Sequence, residues 1–142
     1  MIAALLAAAL VVPPPAGTDT RRILDALRQV ETGGSRDPDR AVGDDGRALG
    51  AYQIHRVYWL DAVEHEPSLK ARGYEAVTDR AYAERVVLAY LSRYARDWSI
   101  DTIARTHNGG PKGIAKRATD GYAVKARRAF DAIEATKQRS TT

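Results

Sequence analysis

Apolar residues recur every three or four positions in three stretches of the chain, and each stretch predicts an amphipathic helix. Ile23, Leu24, Leu27 and Val30 make the first stripe, with Thr18 or Asp19 as its cap and Gly33-Gly34 as its stop. Tyr82, Val86, Val87, Tyr90, Leu91 and Tyr94 make the second and broadest, running from just after Thr78, with Asp79 in its first turn, to about Arg96. This is the expected central helix of the core. Tyr122, Ala126, Ala129, Phe130 and Ile133 make the third, opened by Thr119-Asp120 and followed from Lys137 by a polar tail expected to fray. Shorter pieces lie between them. Tyr58 to Val63 reads as helical, Glu66-Pro67 to Gly73 as a break, and a short helix from about Asp101 carries Ile103 and Ala104 towards His107 before Asn108-Gly109-Gly110-Pro111 stops it.

From Ser35 to Gly50 the helical period is lost. This stretch is rich in Gly, Pro, Asp and Arg, which predicts a turn-dense loop or small β-hairpin with Asp44-Asp45-Gly46 at a tip. Ala51 to Ile54 fits either a strand end or the start of a short helix. The expected fold is therefore α+β and mostly helical, with a small β-hairpin or loop region beside a helical core. There is no internal repeat, and residues 17–142 have the length of one domain.

Residues 1–16 read differently. Met1 to Val12 is rich in Ala, Leu and Val and uncharged, and Pro13-Pro14-Pro15-Ala16 follows, a pattern expected of a secretory signal peptide too short for a stable membrane span. A secreted, periplasmic or cell-envelope protein is the corresponding expectation, monomeric once processed. Cysteine is absent, which excludes structural disulfides and Cys-based zinc sites. His55, His65 and His107 have no metal-site spacing, and no Gly-x-Ser-x-Gly, Walker-type or dinucleotide loop occurs, so no cofactor or metal is expected. The net charge of +4 suits an anionic polymer partner. The cations are scattered, with only a mild concentration at Lys112, Lys116, Arg117, Lys125, Arg127 and Arg128, so a solvated basic face is as good a reading and no nucleic-acid partner is expected.

Candidate chemistry gathers at the first helix end and the hairpin. Glu31 falls in the last turn, near the negative end of the helix dipole, the setting a general acid requires. Asp44 and Asp45 follow on the glycine-bounded turn. Carboxyl groups presented from two elements across a groove are the arrangement that cleaves glycosidic bonds, one protonating the leaving oxygen while the other, ionised, handles the oxocarbenium ion. Tyr52, Tyr58 and Trp59 offer faces for sugar stacking or for core packing, Trp59 partly core and Tyr58 nearer the groove. His107-Asn108-Gly109-Gly110 would set hydrogen-bonding side chains beside backbone that a ligand can approach closely, or simply form a tight turn.

Four blocks carry a resemblance: Glu31-Thr-Gly-Gly, Leu49-Gly-Ala-Tyr-Gln-Ile54 with Tyr58-Trp-Leu-Asp-Ala62, Val86-Val-Leu-Ala-Tyr90-Leu-Ser-Arg-Tyr94, and Ala104-Arg-Thr-His107-Asn-Gly-Gly-Pro111. In this order, from about Ile23 to Phe130, the chain resembles the invertebrate-type lysozyme, or destabilase, family as a cysteine-free member. The resemblance implies a lysozyme-like fold and an antimicrobial-type hydrolase that cleaves the β-1,4 bond between N-acetylmuramic acid and N-acetylglucosamine in peptidoglycan glycan strands. It puts Glu31 on the proton donor and Asp44, with Asp45 as alternative, on the nucleophile or stabilising carboxylate. It puts substrate contacts on Gln53, His55, Tyr58, Trp59, Asp61, Tyr90, Arg105, Thr106, His107 and Asn108. The alternatives are a peptidoglycan-binding module without turnover and a lytic transglycosylase using Glu31 alone. Family members are usually dense in disulfides, so this chain must hold the same groove by packing.

Overall fold

A computed structural model describes residues 13–141, and the signal-peptide expectation for Met1 to Val12 lies outside the described residues. Five helices and one small sheet follow in the order α1 (Thr20–Thr32), β1 (Val42–Gly43), β2 (Ala48–Leu49), β3 (Ile54–His55), α2 (Arg56–His65), α3 (Arg80–Tyr94), α4 (Ile100–Gly109) and α5 (Asp120–Ser140). The fold is mostly helical α+β with a small sheet, as the periodicity predicts, and it agrees with the lysozyme-like fold that the resemblance implies.

Each helix starts and stops for a local reason. The Asp19 carboxylate accepts from the Arg22 amide at 2.9 Å and opens α1, and Asp79 does the same for α3 through Tyr82, as the cap rather than a first-turn residue. Ser99 caps α4 through Thr102, and Gly110, at φ 85°, ends it. The last helix corrects an expectation. Rather than fraying at Lys137, α5 stays helical to Ser140, and the Lys137 ammonium donates to Asp19 at 3.0 Å across the α1 cap.

The core forms where α3 crosses α2 beneath α1. Leu27, Tyr52, Ile54, Leu69, Val77, Tyr82, Val86, Val87, Leu91 and Ile103 are buried together there. A smaller cluster of Ile100, Ala104, Ala123 and Ala126, with Val30, Tyr122 and Phe130 against it, joins α4 and α1 to α5. Packing does here what disulfides would do in a smaller core. Specific ties reinforce it: the Arg22 guanidinium lies 3.5 Å from the Phe130 ring centroid and donates from Nε to the Phe130 carbonyl at 2.7 Å.

The sheet is antiparallel in the order β1-β2-β3, pairing Val42 with Leu49 and Leu49 in turn with Ile54. It is small but firmly attached. The Thr32 hydroxyl at the end of α1 donates to the Ala51 carbonyl at 2.8 Å, and the Tyr74 hydroxyl donates to the Ile54 carbonyl at 2.7 Å. The first of these bonds fixes the hairpin against the helix end that carries Glu31, and the second ties it to the segment before α3.

One partly buried polar cluster ties α1, the hairpin and α3 together. The Tyr52 hydroxyl donates to Glu84 Oε1 at 2.8 Å and Arg21 donates to the same oxygen at 2.7 Å. Burial alone would raise the Glu84 pKa, but the Arg21 and Tyr52 hydrogen bonds outweigh it and hold the carboxyl below its usual value of 4.5. A lowered carboxyl pKa contributes stability that is present above the unfolded value and lost as pH falls through the folded one. Glu84→Gln is therefore expected to cost about 1 kcal/mol near neutral pH. Thermal melts of both proteins should draw together as pH drops below 4.5.

Candidate active site

Glu31 projects from the last turn of α1 into a ring of aromatic and imidazole groups. The Tyr122 hydroxyl, from α5, donates to Glu31 Oε1 at 2.8 Å, and His107 Nε2, from the end of α4, faces the same oxygen at 3.5 Å. About a fifth of the Glu31 side chain remains solvent-accessible, against 3% for His107. The environment is thus enclosed but open on one side.

His107 is held in one orientation by its partners. Its Nε2 lies 3.2 Å from the Tyr52 carbonyl, which can only accept, so Nε2 carries a proton. In the neutral ring Nδ1 is then an acceptor, and the Tyr58 hydroxyl 3.0 Å away donates to it. Tyr58 stacks on Tyr90 with ring centroids 3.6 Å apart. Burial, then Tyr90 and then the Glu31 charge push the Tyr58 hydroxyl well above its ordinary pKa. The Tyr122 hydroxyl is raised too, by burial first and by the same carboxylate second. Both phenols therefore stay protonated and act as donors.

Asp44 sits on the hairpin tip between β1 and β2. Asp44 and Asp45 both adopt left-handed backbone, φ 48° and 53°, which short polar residues tolerate better than most. The two side chains differ sharply in their surroundings. Asp44 pairs with Arg47 at 2.9 Å and lies 3.5 Å from His55 Nε2, whereas Asp45 makes no hydrogen bond or ion pair among the described residues. Asp44 is the more exposed carboxyl of the candidate pair, at 46% of its side chain against 20% for Glu31.

Beside these groups lies a cavity of about 270 Å³, lined by His55, Val57, Tyr58, Asp61, Tyr90, His107, Asn108, Gly110 and Pro111. A second, of about 460 Å³, continues past His55 and Val57 and is lined by Gly46, Arg47, Arg56 and Tyr74 as well. His55 and Val57 border both, so the two form successive parts of one groove. Glu31 abuts it through His107, and Asp44 through His55.

Six of the ten expected substrate contacts, His55, Tyr58, Asp61, Tyr90, His107 and Asn108, line the first cavity together. The other four lie outside that lining. Gln53 donates to the Gly50 carbonyl at 3.0 Å within the hairpin turn. Trp59 donates to the Tyr82 hydroxyl at 2.9 Å inside the core. Arg105 pairs with Asp101 and Asp120 on the far side of α4, and Thr106 is fully buried. Tyr52 is fully buried as well, so its ring serves the core rather than sugar stacking. Tyr122 is the group that sequence reading placed only in the core stripe. It lies 91 residues from Glu31, and no local spacing signals the contact.

Among the described residues no cluster of His, Asp and Glu suits a metal ion, and no helix is long and apolar enough to cross a membrane.

The family model described as Destabilase matches residues 20–129. Curated relatives from bivalves are similar over parts of the chain. Lysozyme 1 of Crassostrea virginica is 36% identical over 79 residues, 53% of this chain and 41% of that protein. Lysozyme of Meretrix lusoria is 30% identical over 111 residues, 75% of this chain and 86% of that protein. Lysozyme of Ostrea edulis is 37% identical over 84 residues, 55% of this chain and 58% of that protein.

Proposed function

We propose, from the premise that this chain belongs to the Destabilase family, that it is a lysozyme hydrolysing the β-1,4 bond between N-acetylmuramic acid and N-acetylglucosamine in peptidoglycan. The observation that carries this reading is that two carboxyls from different elements, one enclosed and one exposed, each lie 3.5 Å from a histidine that lines the same cavity.

Glu31 is the proton donor in this mechanism. Oε1 is held by Tyr122 and faced by His107, so the transferable proton belongs on Oε2, the oxygen left free of both. Asp44 is the ionised partner, paired with Arg47 and faced by His55, and it stabilises or attacks the anomeric carbon as the leaving oxygen departs. Water then completes the reaction with Glu31 as base, and the product retains its anomeric configuration. Tyr58, Tyr90, Asp61, His107 and Asn108 form the wall against which the sugar rings lie. The site of action is outside the producing cell's membrane, where peptidoglycan is found.

Incubation of the protein with purified peptidoglycan tests the reaction. Reducing muropeptide ends, identified by mass, are the expected product; anhydro-sugar ends would make the protein a transglycosylase, and binding without release would make it a wall-binding module. Comparison of two variants tests the choice of aspartate. Asp44→Asn is expected to lose on the order of a hundredfold in turnover, while Asp45→Asn stays within about twofold of wild type, as a charge without a fixed partner should. The reverse ranking would move the role to Asp45.

A further inference from the structure

We propose that the exposed cations of the loop before α5, Lys112, Lys116 and Arg117, and those around the solvent side of α5, Lys125, Arg127 and Arg128, together form a docking surface for the phosphodiester-linked anionic polymers of bacterial walls. It rests on the peptidoglycan reading above only for the choice of partner.

The first observation is where the charge lies. Of 22 Lys and Arg and 18 Asp and Glu, six of the former and one of the latter fall in residues 112–130, so the rest of the chain carries 16 against 17. The whole positive excess therefore belongs to one short stretch. Folding sharpens the contrast, because cations elsewhere are largely consumed in pairs: Arg21 with Glu84, Arg22 with Asp131 and Glu134, Arg80 with Asp39, and Arg93 with Asp61 and Glu64. Among the described residues none of the six has an acidic partner. Lys116 donates to the Gly109 carbonyl at 2.6 Å, which fixes its position without cancelling its charge. Asp120, the one acid in the stretch, is taken up by Arg105.

Geometry gathers these charges on solvent. Ala123 and Ala126 are buried against α4 and leave Lys125, Arg127 and Arg128 distributed around the solvent side of the first half of α5, Lys125 and Arg127 on its two flanks and Arg128 between them. The loop cations stand just before the same helix. Pro111 lines the groove and Lys112 follows it, so the face begins where the groove ends. All six side chains are exposed and spread along the surface, an arrangement that cannot enclose a small ion but can meet successive charges of a chain. The accompanying exposed apolar residues, Ile114 and Val124, are too few to seat the face in lipid. A polymer held here would keep the groove beside the glycan strand to which it is attached and raise the encounter rate.

Co-sedimentation of the full chain with Gram-positive-type wall sacculi, before and after acid removal of their phosphodiester polymers, tests the surface. The triple variant Lys125→Gln, Arg127→Gln, Arg128→Gln is compared with a control of equal net charge, Arg36→Gln, Lys70→Gln, Arg96→Gln. The face variant is expected to bind intact sacculi about tenfold more weakly than wild type, the order of three surface ion contacts, with the control near wild type. Stripping the polymers should bring wild type to the level of the face variant. Equal losses in both triples, no effect of stripping, or retention on anionic phospholipid vesicles as strong as on sacculi would each overturn the proposal. Binding is read without turnover, so a chain that cleaves nothing and still gives this pattern upholds the surface, and the face variant should keep wild-type turnover on soluble, phosphate-free glycan fragments.

Discussion

Glu31→Gln is expected to reduce clearing of a cell-wall suspension by at least about a hundredfold and as much as ten-thousandfold, the range that a positioned general acid supplies. The substitution keeps the size of the side chain and an oxygen that the Tyr122 hydroxyl can still donate to, so the ring of Tyr122, His107 and Tyr58 persists. Only the transferable proton is lost. Circular dichroism and the melting temperature should therefore stay close to wild type while turnover collapses. Glu31→Asp separates presence from placement, because the carboxyl is retained but withdrawn by one methylene from the Tyr122 hydroxyl; a misplacement of about 1 Å is expected to cost on the order of a hundredfold. Activity unchanged in Glu31→Gln would take this residue out of the mechanism.

The second large effect is structural. Gly50 ends β2 with φ 78°, and a Cβ there would stand 2.4 Å from the Val77 carbonyl oxygen, a backbone atom with no freedom to rotate away. Gly50→Ala thus combines a left-handed backbone cost with a steric overlap, and about 3 kcal/mol or more of lost stability is expected. That is a large share of the roughly 5–15 kcal/mol that holds a domain together. The Gly50 amide also donates to the Ala41 carbonyl at 2.8 Å across the base of the hairpin that presents Asp44, so activity should fall even where the variant remains folded. Gly46→Ala is the matched comparison. Gly46 has φ 87° with nothing within 4 Å of an added Cβ, so only the backbone cost applies, about 1 kcal/mol. Chemical denaturation of the pair measures the difference, and equal losses would mean that the Val77 contact relaxes freely.

Legibility in the sequence followed the range of the interaction. Helix positions were readable because capping and periodicity act over four residues or fewer: Asp19, one of two expected caps, and Asp79, expected in the first turn, close their own helices' first turns. The hairpin tip was readable because only a few residue types accept its backbone, and Asp44, Asp45 and Gly46 all take positive φ. The tail was misjudged because its support is distant, Lys137 reaching Asp19 across 118 residues. Adjacent aromatics were harder. Tyr58 and Trp59 are about 100° apart around α2, one towards the groove and one into the core, and α2 also leaves Val57 and Leu60 exposed, so apolar pattern could not choose between its faces. Arg105 and His107 divide in the same way, about 200° apart on α4.

By itself the sequence determined the helices, the turn, the absence of thiol chemistry and the family, since each depends on residue types at short separations or on blocks in a fixed order. Tertiary structure alone decided that Tyr122 would bind the Glu31 carboxyl, that His107 would be pinned between Tyr58 and the Tyr52 carbonyl, and that Asp44 rather than Asp45 would meet a histidine. It also decided which cations stay unpaired. These are contacts between groups up to 91 residues apart, and their formation depends on how five helices pack, a property that no local window of the chain contains.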